Sequence, residues 1–360
     1  MHYTKFRPKA LIATISSQLF EPSLSTEENT PTIDTQFLAT EAAIQFFSEN
    51  PTQTKLSRKN SQLLYSFLKI TTPNHNTKII AISRQTIGKG SQGKVKLGYD
   101  VITKKKVAIK IKVPNETDQH YWHSEASFLK ELGQLHGTLT RENTFKSYIL
   151  SDFFSNSQTL KKHLKENPNL SKTNKLKIIL KIIEQLELIH EKNIVHGDLN
   201  LNNILINNDE KIKIIDFGYS YELNTNKIAK FTRKDTGFDE VEGKLLWLAP
   251  ERDPWKAEEI LTEIESSPFY TSNIMLINIH KNISQWIKEE DYGFYHTSSD
   301  VYSLGYNINR YINPYPQDPD ITNLCTLMCK SNPFERLTLE EVNKQCNELL
   351  MEQTYLLKLS

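Results

Sequence analysis

The stretch that most constrains this chain is a loop crowded with carboxylates and amides: His196-Gly197-Asp198-Leu199-Asn200-Leu201-Asn202-Asn203-Ile204-Leu205, with Ile214-Ile215-Asp216-Phe217-Gly218 shortly after it. Taken singly, Asp198 and Asn203 are compatible with turn caps, and Asp216 with the residue before a tight glycine turn. The segment ahead of the loop has helical periodicity from Lys172 to Lys192, with Leu176, Ile179, Ile183, Leu186 and Ile189 on one side.

A chain of 360 residues exceeds what one core usually serves, so two packed lobes and an appendage are expected. Its 44 basic and 43 acidic residues leave a net charge of +1, which provides no global field for nucleic acid or an anionic membrane. Cys325, Cys329 and Cys346 are odd in number and without CxxC spacing, so a reducing cytoplasm is expected in place of a disulfide framework or zinc site. Cys325 and Cys329 share a helix face and read as small apolar filler. The apolar run Ala10 to Ile15 is too short to span a bilayer, and no integral membrane segment is expected.

Residues 1–75 are rich in Thr, Ser, Asn and Pro and read as a partly helical N-terminal extension, with helices at Thr40–Ser48 and Ser57–Lys69. β-Branched runs at Lys78–Ile82 and Lys106–Ile111 then predict strands, helical periodicity follows from Tyr121 to Leu132, and strand character returns at Phe145–Phe154. Gly88-Lys89-Gly90-Ser91-Gln92-Gly93-Lys94-Val95 lies between the first strands. Its glycines let backbone close over phosphates, where a Cβ would obstruct the approach. The segment after Gly93 reads as a strand, which excludes the dinucleotide fold that needs a helix there. Val107-Ala108-Ile109-Lys110 follows, its lysine 17 residues beyond Gly93. Glu125 on the next helix is placed to meet Lys110, with Glu131 as the alternative; Phe128, Leu129 and Leu132 beyond Glu125 supply a packing face.

Taken together, the glycine loop, strand lysine, polar loop, Asp216-Phe217-Gly218 and Ala249-Pro250-Glu251 stand in the order found in protein kinases, which the chain resembles over residues 80–340. The resemblance implies an α+β fold of two lobes: a β-rich N-lobe at 76–154, a helical C-lobe at 155–348 with an insert at about 252–297, and a tail at 349–360. It implies ATP held by Gly88, Lys89, Gly90, Ser91, Gly93, Val95, Ala108 and Lys110, with Asn203 and Asp216 on Mg²⁺. Asp198 would accept the proton of a protein hydroxyl, Phe217 would report by its packing on assembly of the site, and His196 would bond backbone near Asp216. Glu251 would pair with Arg336, and Asp300 would steady the polar loop from a central helix.

The sequence departs from that family in three places. Gly197 replaces an arginine that commonly grips an activation-loop phosphate, so constitutive competence or control by a partner is expected. Asn200 replaces the lysine usual in Ser/Thr kinases, and Asn202 stands where tyrosine kinases carry an arginine; Lys244 is the residue expected to return the missing cation to catalysis. Glu251 and Asp300 lie 49 positions apart, and this insert, with helices at Lys256–Glu265 and Ile283–Glu290, is expected to stand in for an absent substrate-side helix and to offer a surface to a regulatory partner. The alternative for the insert is a mobile loop.

The expected reaction is γ-phosphate transfer from ATP to Ser or Thr hydroxyls of a protein. The His-Gly-Asp loop also resembles that of small-molecule phosphotransferases, and a pseudokinase scaffold is a further alternative, although Lys110, Asp198, Asn203 and Asp216 are all present. The reduced C-lobe and Gly197 are similar to kinases that intracellular bacteria deliver into host cells. The tail, with Glu340, Glu341, Glu348 and Glu352 before an apolar end, resembles the ends such secretion systems accept; a terminal amphipathic helix accounts for it equally.

Overall fold

The computed structural model describes residues 33–57, 65–90, 93–112, 119–141, 146–232, 248–252, 254–266, 270–288, 292–314 and 317–359. They fall into two compact units, Met1–Glu116 with Gly133–Phe153, and Thr117–Leu132 with Phe154–Ser360. Strands dominate the first and helices the second, the α+β division the resemblance implies.

In the first unit, helix α1 (Ile33–Glu49) precedes seven strands among the described residues: β1 (Lys55–Leu56), β2 (Ser66–Thr71), β3 (Thr77–Gly90), β4 (Gly93–Asp100), β5 (Lys106–Lys112), β6 (Leu135–Arg141) and β7 (Lys146–Asp152). Their order is β1-β2-β3-β4-β5-β7-β6, and β2 also meets β6 at Thr71 and Thr138, so six strands close on themselves. Side chains alternate across a strand, and the inward set, Leu68, Ile70, Ile80, Ile82, Val107, Ile109, Tyr148 and Leu150, forms one core. On the outer face α1 lays Ala43 and Phe47 against Leu56, Phe67, Ala81 and Val101.

This corrects the helix expected at Ser57–Lys69: Ser66–Lys69 belongs to β2, antiparallel to β3 from Ser66–Ile82 to Thr71–Thr77, and the sheet therefore takes in residues ahead of position 75. Phe67 packs toward α1 while Leu68 and Ile70 pack inside, and a strand apolar on both faces loses the alternation that would mark it in sequence. The β6 strand also went without a signal of its own; its burial is mostly intermediate, and Gly137 interrupts it.

The second unit opens with α2 (Gln119–Glu131) and continues through strand β8 (Ser157–Thr159) and helix α3 (Leu160–Glu166) to α4 (Lys172–His190). The α4 helix starts where Ser171 accepts the Asn174 N–H at 3.2 Å. It buries Leu176, Ile179, Ile183, Leu186 and Ile189, the predicted stripe. The polar loop runs from β9 (Ile194–Val195) to β10 (Ile204–Asn207), which pairs with β11 (Ile212–Ile214) and with β8; β9 pairs with β12 (Tyr221–Glu222).

The insert carries a core of its own. Helices α5 (Pro254–Ser266) and α6 (Ile274–Lys288) bury Ala257, Ile260, Leu261, Ile264, Ile279 and Ile283 together with Phe294, on a strand that closes the insert. That strand, β14 (Tyr292–His296), pairs over its whole length with β13 (Ile228–Thr232), a strand that follows Asp216 in the chain. The second helix begins nine residues earlier than expected because Asn273 Oδ1 accepts the Met275 and Leu276 N–H groups and starts it there. Helix α7 (Thr297–Asn307) and a π-helical turn at Ile308–Ile312 lead to α8 (Pro319–Met328), which Asp318 caps; α9 (Leu339–Leu359) runs unbroken through the expected tail.

Cys325 and Cys346 are buried free thiols, and burial holds the Cys346 thiol up at about 12, as apolar filler requires. Among the described residues no helix is long and apolar enough to cross a membrane.

Candidate active site

The polar loop is held from three directions. Its leucines anchor it downward, Leu199 fully buried and Leu201 nearly so, with Asn307 Nδ2 donating to the Leu199 carbonyl at 3.2 Å. From α7, buried Asp300 accepts the His196 N–H at 2.7 Å on Oδ2 and the Gly197 N–H at 3.0 Å on Oδ1, and His190 Nε2 lies 2.9 Å from Oδ2. Burial alone would raise the Asp300 carboxyl, but the His190 contact and the His196 backbone donor outweigh it and hold it below its ordinary value. From the other side, His196 Nε2 lies 3.0 Å from the Ile215 carbonyl, and its ring meets buried Phe217 edge-on at 5.3 Å. The expected roles of Asp300 and His196 match this geometry.

The Asp198 carboxylate, thus positioned, is clasped by two amides. Asn203 Nδ2 donates to Oδ2 at 3.0 Å, and Asn200 Nδ2 donates to Oδ1 at 3.2 Å. Asn200 therefore serves the loop as a neutral clamp where a lysine is usual. Asn203 is also tied to the next segment, since its carbonyl accepts the Ile215 N–H at 2.9 Å, one residue before Asp216. Asp216 adopts φ 69°, a left-handed conformation that a non-glycine residue holds only when its surroundings impose it. Asn203 and Asp216 thus present hard oxygen donors from adjoining backbone. That donor set fits Mg²⁺, which is held through one or two carboxylates together with substrate phosphates. No group of three or more His, Cys, Asp or Glu side chains converges among the described residues.

Gly197 is there for steric reasons. Its φ is +75°, and a Cβ would stand 2.2 Å from the Tyr219 carbonyl oxygen. Gly197→Ala is expected to lower stability by about 2–4 kcal/mol, combining left-handed strain with overpacking, and to reduce activity with it. Thermal denaturation measures the first effect, and a midpoint unchanged from wild type would remove the steric account.

Sequence reasoning missed a buried cation next to this loop. Arg252, immediately after Ala249-Pro250-Glu251, is 6% exposed and directs Nη1 to the Gly197 carbonyl at 3.5 Å, with its guanidinium 5.0 Å from the centre of the Tyr295 ring. Tyr295 belongs to β14 and packs on Tyr221 of β12 at 4.7 Å. Burial holds its phenol well above the ordinary range against the pull of Arg252, with the Asp198 and Asp300 charges adding to the rise. The only advance signal was an arginine following the acidic residue of that motif.

Glu251 and Arg336 form a bidentate pair at 2.9 and 2.7 Å with both side chains wholly buried, the expected contact. In the first unit Gly88 and Gly90 lie on β3 and Gly93 on β4, with Gly90 opposite Gly93 and Lys89 opposite Lys94. A Cβ on Gly93 would meet the Ile111 carbonyl oxygen at 2.4 Å. Val95 lies opposite Lys110, and Leu97 opposite Ala108, so the nucleotide residues expected on β4 and β5 share one register. Glu125 is buried on α2 and Glu131 is exposed. Ser91 and Lys244 lie outside the described residues.

The family model for the protein kinase domain matches residues 82–346. The chain belongs to the protein kinase family. Among similar proteins is the carbon catabolite-derepressing protein kinase of Candida glabrata, 27% identical over 271 residues that cover 72% of this kinase and 40% of the relative. Its Saccharomyces cerevisiae namesake is 28% identical over 271 residues, covering 72% and 38%. The human NUAK family SNF1-like kinase 1 is 26% identical over 282 residues, covering 74% and 38%. The kinase thus spans about two fifths of the length of the curated relatives it matches. Its first two strands and α1 precede the matched region.

Proposed function

We propose that this kinase transfers the γ-phosphate of ATP to Ser or Thr hydroxyls of a protein. The observation that carries the reading is the Asp198 carboxylate, clasped by Asn200 and Asn203 on a loop that Asp300 anchors. Asp198 accepts the proton of the substrate hydroxyl as its oxygen bonds to the γ-phosphorus and ADP departs. Lys110 engages the nucleotide phosphates, and backbone at Gly88, Gly90 and Gly93 covers them. Asn203 and Asp216 hold Mg²⁺, which when bound neutralises phosphate charge. Lys244 adds a cation from the segment ahead of Ala249.

Ser and Thr are favoured over Tyr by the absence of a tyrosine-type arginine at Asn202 and by the name of one relative, the probable serine/threonine-protein kinase MARK-B of Dictyostelium discoideum. Free cysteines support a cytoplasmic setting. Delivery into a host cell draws on the reduced C-lobe, Gly197 and the tail, and a reporter fused to the last residues tests it. Phosphoamino-acid analysis after incubation with labelled ATP tests the activity itself. Labelled phosphoserine or phosphothreonine is expected, and incorporation equal to that of an Asp198→Ala control would overturn the reading.

The β13–β14 ladder and the packing of Arg252 under the loop support competence without a phosphate on the activation segment. Phosphatase-treated and untreated kinase are expected to show initial rates within about twofold, a difference near the limit of a mutational or assay effect of ~0.4 kcal/mol. A loss of tenfold or more on treatment would reject this. The insert, with its own helical core, is proposed as the surface for a substrate or regulatory partner.

A further inference from the structure

The closed sheet of the first unit has a cavity of about 220 Å³ at one end, lined by Lys55, Ser66, Ile82, Ser83, Arg84, Lys94, Lys96, Ile111, Lys146 and Tyr148. Strand alternation sets most of these residues on one face of the sheet, at its open end, where Arg84, Lys94 and Lys146 are exposed. Arg84 follows Ile82 by two residues on β3, Lys94 and Lys96 are two apart on β4, and Lys146 precedes Tyr148 by two on β7. Register draws the strands together, with Lys94 opposite Ile111 and Ile111 opposite Tyr148, so the floor is the apolar end of the core and the rim is cationic.

Five of the lining residues are basic and none is acidic, in a protein whose net charge is only +1. Lys55 is steadied by the Tyr148 hydroxyl at 3.2 Å. Arg84, Lys94 and Lys146 have no ion-pair or side-chain hydrogen-bond partner among the described residues. Like charges brought together on one concave surface repel, and the field they focus favours an anion. An oxyanion with several charges removes that repulsion and gains charge-assisted hydrogen bonds from guanidinium and ammonium groups. The space is many times the roughly 10–15 Å³ that a single water needs. A half-open pocket of this size admits a few phosphoryl groups and is too small for a nucleic-acid duplex.

We propose that this cavity is a binding site for a small multivalent phosphate compound, separate from the nucleotide phosphates engaged by Lys110. Lys110 neighbours Ile111 on β5, and alternation sends the two side chains to opposite faces of the strand. The occupant would bridge β1, β3, β4 and β7 and brace the hairpin that carries Gly88–Gly93. The chemistry is shared by a free polyphosphate and by the phosphorylated headgroup of a lipid, and the test separates these sources.

Tripolyphosphate is titrated calorimetrically into the full chain without Mg²⁺, beside vesicles containing a bisphosphorylated phosphoinositide. Saturable binding near one to one is expected for the wild type and for Lys110→Ala. Arg84→Ala/Lys146→Ala should weaken it at least tenfold. The charge-preserving Arg84→Lys/Lys146→Arg pair should keep it within about threefold, a change of under ~1 kcal/mol, which guards against a simple folding defect. Vesicle binding with the same dependence on the two residues, and no response to tripolyphosphate, assigns the cavity to a lipid headgroup. Absence of saturable binding to both probes overturns the proposal. So does binding that survives the double alanine variant or disappears only in Lys110→Ala.

Discussion

Asp198→Asn is expected to slow phosphoryl transfer by about 10²–10⁴-fold, the range over which a positioned general base contributes, with little change in stability. Both carboxylate oxygens already accept an amide N–H, one from Asn203 and one from Asn200. A carboxamide at 198 offers one oxygen to those two donors and turns its own NH₂ toward the other, so the clamp loses a partner as the site loses its proton acceptor. The loop itself keeps its anchors, because Asp300, Asn307 and the buried leucines do not involve the 198 side chain. Steady-state rates with a protein acceptor should show the fall in kcat with the KM for ATP within about threefold, the pattern of an interaction made in the transition state. Retention of more than a tenth of wild-type kcat would remove Asp198 from the role of base. Asn200→Ala, which removes one clamp and leaves the carboxylate, should cost less.

How much of this was legible in sequence follows from the range over which each feature is determined. Ordered motifs carried the site: Asp198, Asn203, Asp216, Asp300, Glu251 and Arg336 could be named because each sits in a short local pattern. Their geometry then arises from β10 pairing with β11, which sets Asn203 beside Ile215, and from α7 passing beneath the loop. The α4 stripe was equally plain, since a helix with one wet face writes its period into the sequence. Strand β2 was not plain, because Phe67 and Leu68 are buried on opposite faces against partners distant in the chain.

The neighbourhood of Gly197 shows another limit. The missing arginine could be seen, and its consequence for phosphate-dependent control could be reasoned. What fills the space could not, because Arg252 comes 55 residues later and Tyr295 is carried in by β14. A ladder between β13 and β14 leaves no more sequence signal than two short aromatic or β-branched runs, and their pairing is a property of the folded insert. The cationic cavity is hidden for the same reason: its five basic residues are scattered from Lys55 to Lys146 and converge only when the sheet closes.

Arg336→Ala is expected to destabilise the second unit by about 3–5 kcal/mol, the cost of breaking a buried ion pair from one side. All the guanidinium N–H groups are engaged. Nη1 and Nη2 reach the two Glu251 oxygens, and the remaining donors go to the carbonyls of Lys330 at 2.7 Å, Ser298 at 3.0 Å and Ser331 at 2.9 Å. Truncation leaves a buried carboxylate whose remaining side-chain donor among the described residues is the Ser299 hydroxyl at 2.6 Å, and three carbonyls lose this donor. Arg336→Lys keeps the charge but cannot reproduce the planar fork, so it should fall between the two. The Glu251→Ala/Arg336→Ala double variant should lose less than the sum of the single losses, because no charge is stranded. Activity should suffer beyond the loss of folded protein: Ser298 and Ser299 immediately precede Asp300, whose carboxylate holds the His196 and Gly197 backbone, so a shift at the start of α7 moves the loop that carries Asp198. Chemical denaturation of these variants and of Glu251→Ala checks the energies, and kcat measured on the folded fraction checks the coupling. A Arg336→Ala loss below about 1 kcal/mol, in the range of exposed pairs, would show that the pair does not hold this unit together.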